Sequence, residues 1–191
     1  MNKAPYFTGF SHFGATGGHG GVLYFFSPPQ YFLFETMKTK IIDTQLLNSV
    51  SGQAKQSPRL RMNYNFHQSP ADAVQRMLNA IEPGTYLRPH RHPDREEVFL
   101  ILRGKMTLFI FDDAGSVWEH ICLCHQDGIH GVEIPQMAWH TLIINEPDTV
   151  MYELKRGPYQ PLSNEHFAPW SPHPDEALAV EEYLKGLEKF I

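Results

Sequence analysis

The sequence predicts an all-β fold, a small antiparallel barrel or jelly roll, with a short N-terminal helix and a C-terminal α-helix. Two observations predict it. Short apolar runs follow one another about every ten residues between residues 59 and 155, with Gly, Pro, Asn and Asp in the breaks. No stretch of helical period separates these runs, which argues against an alternating α/β fold.

Length and composition fit one globular domain. The chain has 191 residues, 42% hydrophobic and 19% charged, which is too apolar for a disordered chain. The formal net charge of −5 gives no reason to expect nucleic acid or an anionic membrane as a partner. We expect a cytoplasmic protein, because the two cysteines suit a reducing compartment.

The first 36 residues differ from the rest. They combine a glycine cluster, paired prolines and scattered aromatics without a helical or strand period, and they lack the features of a secretory signal. A second methionine, Met37, opens a more regular sequence. We therefore expect residues 1–36 to be a poorly ordered extension or the product of a misassigned start. A strand over residues 22–26 is the alternative.

A short helix is predicted directly before the apolar runs. Asp43 is a candidate N-cap, and Pro58 ends the segment. The apolar residues between them recur at helical spacings: Leu46, Leu47, Val50 and Ala54.

Residues 59–67 predict the first strand, because apolar and polar residues alternate. Its polar row, Arg61, Asn63, Asn65 and His67, fits a solvated face or a binding face equally well.

Further strands are predicted at residues 73–81, 96–102, 105–111, 116–123, 130–134, 139–144 and 149–154. We expect the core to contain Val98, Phe99, Leu100, Leu108, Ile110, Leu142 and Ile143, or their strand neighbours. A proline-rich stretch leads to the C-terminal helix within residues 173–191, with Leu178, Tyr183, Leu184 and Leu187 at helical spacings.

Cys122 and Cys124 lie one residue apart, flanked by His120 and His125. Structural zinc sites usually separate their ligand pairs by two to four residues on a turn. Two reduced cysteines in a strand therefore fit better than a zinc site.

A metal centre is predicted elsewhere, by "PHRHPDREE". On a strand His90 and His92 project to one face, and a hairpin brings Glu97 beside them. His140 can join from a strand distant in sequence. Three neutral imidazoles and a carboxylate suit one divalent transition metal: iron, manganese, nickel or zinc.

The spacing resembles the cupin superfamily. Its first motif is matched by Gly84, His90, His92, Glu97 and Gly104. Glu96 is the other candidate for the carboxylate, but only Glu97 has the required distance to Gly104. The second motif is matched by Gly128, Pro135 and His140. It departs at two positions. Met137 stands where glycine is usual, and the asparagine that usually follows the histidine is displaced by one residue, to Asn145.

Longer segments, among them "SPRLRMNYNFH", "GVEIPQMAWHTL" and "HFAPWSP", resemble the WbuC family of cupin-fold metalloproteins. The likeness covers about residues 38–172 and implies a cupin metal-binding domain over residues 37–172. It also implies a bacterial protein linked to O-antigen or capsule sugars. A homodimer is expected from the resemblance alone.

The predicted function is metal-dependent action on a small polar substrate, such as a sugar or nucleotide sugar, in isomerase or epimerase chemistry. A non-catalytic carbohydrate-binding or sensor module and an iron-dependent dioxygenase are alternatives. Candidate substrate contacts are Arg76, Asn79, Arg88, Asn65 and His67, each of which fits a surface role as well.

Overall fold

The computed structural model describes residues 39–191, so the predicted N-terminal extension and its alternative strand lie outside the described residues. Within this part the chain forms two antiparallel sheets and two α-helices, which confirms the predicted fold class. None of the helices described there is long and apolar enough to cross a membrane.

The first helix, α1 (Thr44–Gln56), begins where the sequence predicted. The Asp43 carboxylate accepts a hydrogen bond from the Leu46 amide at 2.9 Å, which caps an otherwise unpaired N–H group. The buried side of the helix, with Val50 and Ala54, packs on the outer face of the larger sheet. It covers Phe66, Leu78, Ala80 and Val150 there.

The larger sheet has the strand order β1-β2-β8-β3-β6. Its strands are β1 (Arg61–Asn65), β2 (Val74–Ile81), β3 (Glu97–Arg103), β6 (Gly131–Ile134) and β8 (Thr149–Arg156). The smaller sheet has the order β5-β4-β7, from β4 (Met106–Phe111), β5 (Val117–Leu123) and β7 (Trp139–Ile144). Every pair of neighbouring strands is antiparallel.

The main core lies between the inner faces of the two sheets. Phe99 and Ile101 of β3 meet Leu108 of β4 and Leu142 of β7, all 5% exposed or less. The prediction that Leu100 belongs to the core is wrong, since 41% of its surface is exposed. Side chains alternate along β3, so the residues that share the inner face are Glu97, Phe99 and Ile101.

The C-terminal helix α2 (Ala177–Glu188) belongs to a third apolar cluster, on the smaller sheet. Its Leu187 is buried with Phe109, Phe111 and Trp139. Leu178, predicted on the apolar side, is 82% exposed because it lies at the start of the helix, before the contacts begin.

Gly104 turns the chain between β3 and β4 with φ +79°. A Cβ atom there would lie 2.8 Å from the Thr149 Cα atom, closer than real carbon contacts allow. Gly104→Ala is therefore expected to lower the free energy of unfolding by more than about 1 to 2 kcal/mol, from left-handed strain alone. Denaturant titration by circular dichroism measures it.

Gly52→Ala is the matched control. Gly52 lies within α1 and no heavy atom lies within 4 Å of an added Cβ. The same substitution should raise stability there by about 0.5 to 1 kcal/mol, because alanine favours the helix. Equal effects at both positions would contradict the steric argument.

Candidate metal centre

The segment that carries His90 and His92 is extended, but it is not the regular strand that the sequence predicted. On one side it pairs with β7, because the amide of each of His90 and His140 donates to the carbonyl of the other, at 3.0 and 2.9 Å. On its other side Ala168 donates to the Pro89 carbonyl at 2.9 Å, and Arg91 to the His166 carbonyl at 3.0 Å. Backbone bonds from two distant regions therefore fix these histidines.

The structure brings the four predicted ligands together. One side-chain donor atom from each of His90, His92, Glu97 and His140 lies within 4.8 Å of all the others. Glu97 is the first residue of β3 and is 3% exposed, and His140 on β7 is 2% exposed. Glu96, the competing carboxylate, is exposed to solvent.

Backbone carbonyls orient two of the imidazoles. The Nδ1 atom of His90 lies 3.0 Å from the Arg88 carbonyl, and that of His140 lies 2.9 Å from the Ala138 carbonyl. A carbonyl oxygen only accepts hydrogen bonds, so each Nδ1 carries the proton and each Nε2 presents a lone pair. This is the arrangement of histidines that bind metals through Nε2.

Two of the imidazoles face the Glu97 carboxylate through Nε2. The Nε2 atom of His92 lies 3.1 Å from Oε1, and that of His140 lies 3.1 Å from Oε2. Within residues 39–191, His92 Nε2, Glu97 Oε2 and His140 Nε2 are buried atoms without a hydrogen-bond partner. Buried acceptors that face one another are costly unless a cation lies between them. The residues present fit a divalent metal ion.

The surroundings hold His90 and Glu97 in the protonation states that bind metals. Burial, together with the neighbouring His140, lowers the pKa of His90 to about 3, so the imidazole is neutral at pH 7. Burial opposes ionisation of Glu97, but the nearby positive charge of Lys155 favours it and helps to hold the pKa of this carboxyl well below its usual range. Neutral imidazoles and an ionised carboxylate are the ligand forms.

Two charged residues beside the cluster were missed from the sequence. Lys155 Nζ lies 2.8 Å from Glu97 Oε1 and 2.7 Å from Glu153 Oε1, and Asn79 donates to the other oxygen of Glu153. Burial opposes the charge on Lys155, but Glu153 and Glu97 outweigh it and raise its pKa above the ordinary value. The available signal in the sequence was the pair Glu153 and Lys155, two residues apart at the end of the apolar run 149–154.

A cavity of about 350 Å³ opens beside the cluster, and His90, Glu97 and His140 form part of its wall. Strand register explains the rest of the lining. Asn63 pairs with Asn79, Met77 with Glu153, and Lys155 with Glu97, and paired residues project to the same face. The inner face of the larger sheet therefore carries a polar row into an otherwise apolar interior.

Of the five predicted substrate contacts, the structure brings Asn79 to this cavity and not the other four. Arg76 pairs with Leu154, on the opposite face of β2 from Asn79. Arg88 bonds to Ser171 Oγ at 3.1 Å and to the Ala168 carbonyl at 3.3 Å, because its segment is not a regular strand. The other two, Asn65 and His67, lie at and beyond the end of β1, and the His67 Nδ1 accepts from the Arg76 amide at 3.1 Å.

The two departures from the second motif have local explanations. Met137 has φ +67°, the left-handed region in which glycine is favoured, so the turn keeps its shape at a cost in strain. Asn145 accepts a hydrogen bond from Thr107 Oγ1 at 2.9 Å. Cys122 and Cys124 are free cysteines and, in the described part of the chain, belong to no cluster of metal-ligand type.

Comparisons with known proteins give three findings. A domain of unknown function (DUF6016) matches residues 42–123, which include three of the four clustered side chains and not His140. No curated protein matches the chain. The similar solved structures include cupin-superfamily proteins.

Three of the similar solved structures illustrate the range of sequence identity and coverage. KdgF from Halomonas sp. is 15% identical, with a TM-score of 0.43 over 55% of this chain and 84% of that one. A cupin superfamily protein from Desulfitobacterium hafniense is 18% identical, with a TM-score of 0.40 over 50% of this chain and 76% of that one. The formate complex of Lactobacillus farciminis oxalate decarboxylase is 22% identical, with a TM-score of 0.37 over 46% of this chain and 25% of that one.

Proposed function

We propose that this protein binds one divalent transition metal (iron, manganese, nickel or zinc) through His90, His92, Glu97 and His140 and uses it on a small polar substrate. A sugar or nucleotide sugar is the substrate class that we favour. We favour a role in bacterial surface-polysaccharide synthesis because the sequence resembles the WbuC family.

One observation carries the metal proposal. Three buried polar atoms, from His92, Glu97 and His140, converge without hydrogen-bond partners in the described residues, beside a cavity large enough for a ligand. A cluster of this kind is stable when a cation shares the lone pairs. When bound, such an ion polarises a substrate oxygen as a Lewis acid.

The role is chemical rather than structural, because the fold has a core of its own. Leu108, Met106 and Leu123 are 0% exposed between the sheets, and a further cluster lies under each helix. Domains that fold only with zinc lack such a core. We therefore expect the metal-free protein to remain folded.

The polar groups of the cavity suit a hydroxyl-rich substrate. Asn79 and Glu153 are bonded to each other on the inner face, and Lys155 holds both Glu153 and Glu97. Within this network Lys155 keeps Glu97 ionised and positioned, while Asn79 and Glu153 offer polar atoms to a ligand hydroxyl. A cavity of about 350 Å³ suits a unit the size of one sugar.

Metal removal tests the proposal. The protein is purified without added chelator or metal, its metal content is measured, and it is then stripped with a chelator. We expect about one metal per chain before stripping, a folded stripped protein by circular dichroism, and recovery of one metal per chain on addition of iron(II), manganese(II), nickel(II) or zinc(II). A stripped chain that unfolds would make the metal structural and would overturn the functional reading.

Turnover then separates the classes of function. Conversion of a nucleotide sugar by the metal-loaded protein supports the proposed sugar chemistry. Oxygen uptake by the iron(II)-loaded protein would instead assign the cluster to a dioxygenase. Sugar binding without either reaction would leave a metal-dependent carbohydrate-binding module.

A further inference from the structure

Two arginines at one end of the cavity have no partner for their charge. Arg59 precedes β1 and Arg61 begins it, and both line the cavity. In the described part of the chain, the other arginines bond to protein groups: Arg76, Arg88, Arg91, Arg95, Arg103 and Arg156. Neither the Arg59 nor the Arg61 guanidinium has a hydrogen bond or an ion pair there.

Their position makes this unusual. Arg61 is half-buried, and both burial and the like charge of Arg59 lower its pKa. Arg59 itself is exposed at the edge of the cavity. Holding the Arg61 guanidinium partly out of water, beside this like charge and without an acid, costs free energy. A surface role would leave the Arg61 side chain free to turn toward solvent, where that cost disappears.

The charge balance of the cavity points the same way. Arg59, Arg61 and Lys155 are positive, whereas Glu97 and Glu153 are negative, so the lining carries a net charge of +1 before any metal binds. Lys155 is bonded to both carboxylates, and these three groups together carry a charge of −1, whereas the two arginines carry +2. The uncompensated positive charge is at the arginines, and a divalent ion adds two more charges to the same cavity.

Strand register separates the arginines from the ligand cluster. Arg61 pairs with Ile81 at one end of β2, whereas Lys155, the partner of Glu97, pairs with Gln75 near the other end. Between them the inner face carries Asn79 and Glu153. A group bound by the arginines is therefore distinct from the group that reaches the metal.

We propose that Arg59 and Arg61 bind a carboxylate or phosphate at one end of the substrate, while its hydroxyl-bearing remainder lies along Asn79 and Glu153 toward the metal. The substrate class is then an anionic sugar derivative, a sugar acid or a sugar phosphate. Guanidinium groups suit both anions, because their paired N–H donors match two oxygen atoms. The inference rests on the proposed function in treating the bound anion as substrate.

The test uses the full-length chain stripped of metal, so that a probe cannot bind through the ion. Isothermal titration calorimetry compares glucose, glucose 1-phosphate, glucuronate and inorganic phosphate. We expect glucose 1-phosphate or glucuronate to bind at least about tenfold more tightly than glucose, since a charge-assisted hydrogen bond contributes about that factor. Stronger binding of the phosphate or of the carboxylate probe identifies which anion the arginines take.

Variants connect the binding to the two arginines. Arg61→Met should weaken binding of the preferred anion about tenfold or more, and Arg59→Met combined with Arg61→Met should weaken it further. Arg76→Met is the matched control, because Arg76 lies on the opposite face of the neighbouring strand. It should bind the probe as tightly as the unchanged protein does.

Several results would overturn the inference: no anion binds, glucose binds as tightly as its charged derivatives, or Arg61→Met binds like the unchanged protein. Metal content of the same variants keeps the two proposals apart. Arg61→Met should retain one metal per chain, because Arg61 contacts none of the four clustered side chains. Anion binding by a chain that takes up no metal would sustain this inference while the proposed function failed.

Discussion

Replacing His140 with alanine is expected to lower the affinity for divalent metal by more than about 100-fold, although His90, His92 and Glu97 remain. Loss of a residue that only supports a ligand typically costs about 10- to 100-fold, and loss of the ligand itself should cost more. The bonds between His90 and His140 are formed by backbone atoms, so the substitution should leave that segment in place. Metal content after stripping and reloading measures the effect.

His173→Ala is the matched control for that experiment. His173 lies in the chain before α2, and its side chain is 57% exposed. Removing it should leave one metal per chain. If His140→Ala regained a full equivalent of metal with unchanged affinity, the four-residue cluster would not be the binding site.

Lys155→Met is expected to lower the free energy of unfolding of the metal-free protein by about 3 to 5 kcal/mol. The substitution removes the cation shared by Glu97 and Glu153, whose side chains are 3% and 9% exposed. A buried charge left without its partner destabilises a protein by about that amount. Denaturant titration of the stripped protein measures the loss.

The loaded protein should suffer less from the same change, because a bound cation would then compensate Glu97. Lys185→Met provides the comparison on the surface. Lys185 bonds to Glu181 on α2 with both side chains more than 60% exposed, and such pairs contribute about 0.3 to 0.5 kcal/mol. Similar losses for Lys155→Met and Lys185→Met would mean that the buried network is not stabilising.

Local pattern was enough to predict most of the fold. The alternation over residues 59–67, the turn residues between the apolar runs and the Asp43 cap all act within a few positions. They correspond in the structure to β1, to the breaks between the strands and to the start of α1. The proximity of His90, His92 and Glu97 followed from spacing, because their separation reflects one short segment and the strand after it.

What the sequence could not predict depends on contacts between distant segments. Side-chain alternation requires that Arg76 and Asn79 lie on opposite faces of β2, but it does not say which one faces inward. The pairing of Met77 with Glu153 decides that, and it joins residues 76 positions apart. The same register brings Lys155 to Glu97. The extended segment at His90 was misassigned because its bonding partners come from β7 and from residues 166–168.

The segment at His90 is attached on two sides, to β7 and to residues 166–168, so the site depends on more of the chain than the clustered residues themselves. All four clustered side chains and all eight strands of the described part lie before residue 157. A fragment that stopped there would leave the Pro89 carbonyl and the Arg91 amide without the bonds they make to Ala168 and His166. Its imidazoles would be more mobile, and a metal ion would have to order them on binding. Part of the metal affinity that we propose would thus come from preorganisation supplied by residues that contribute no ligand.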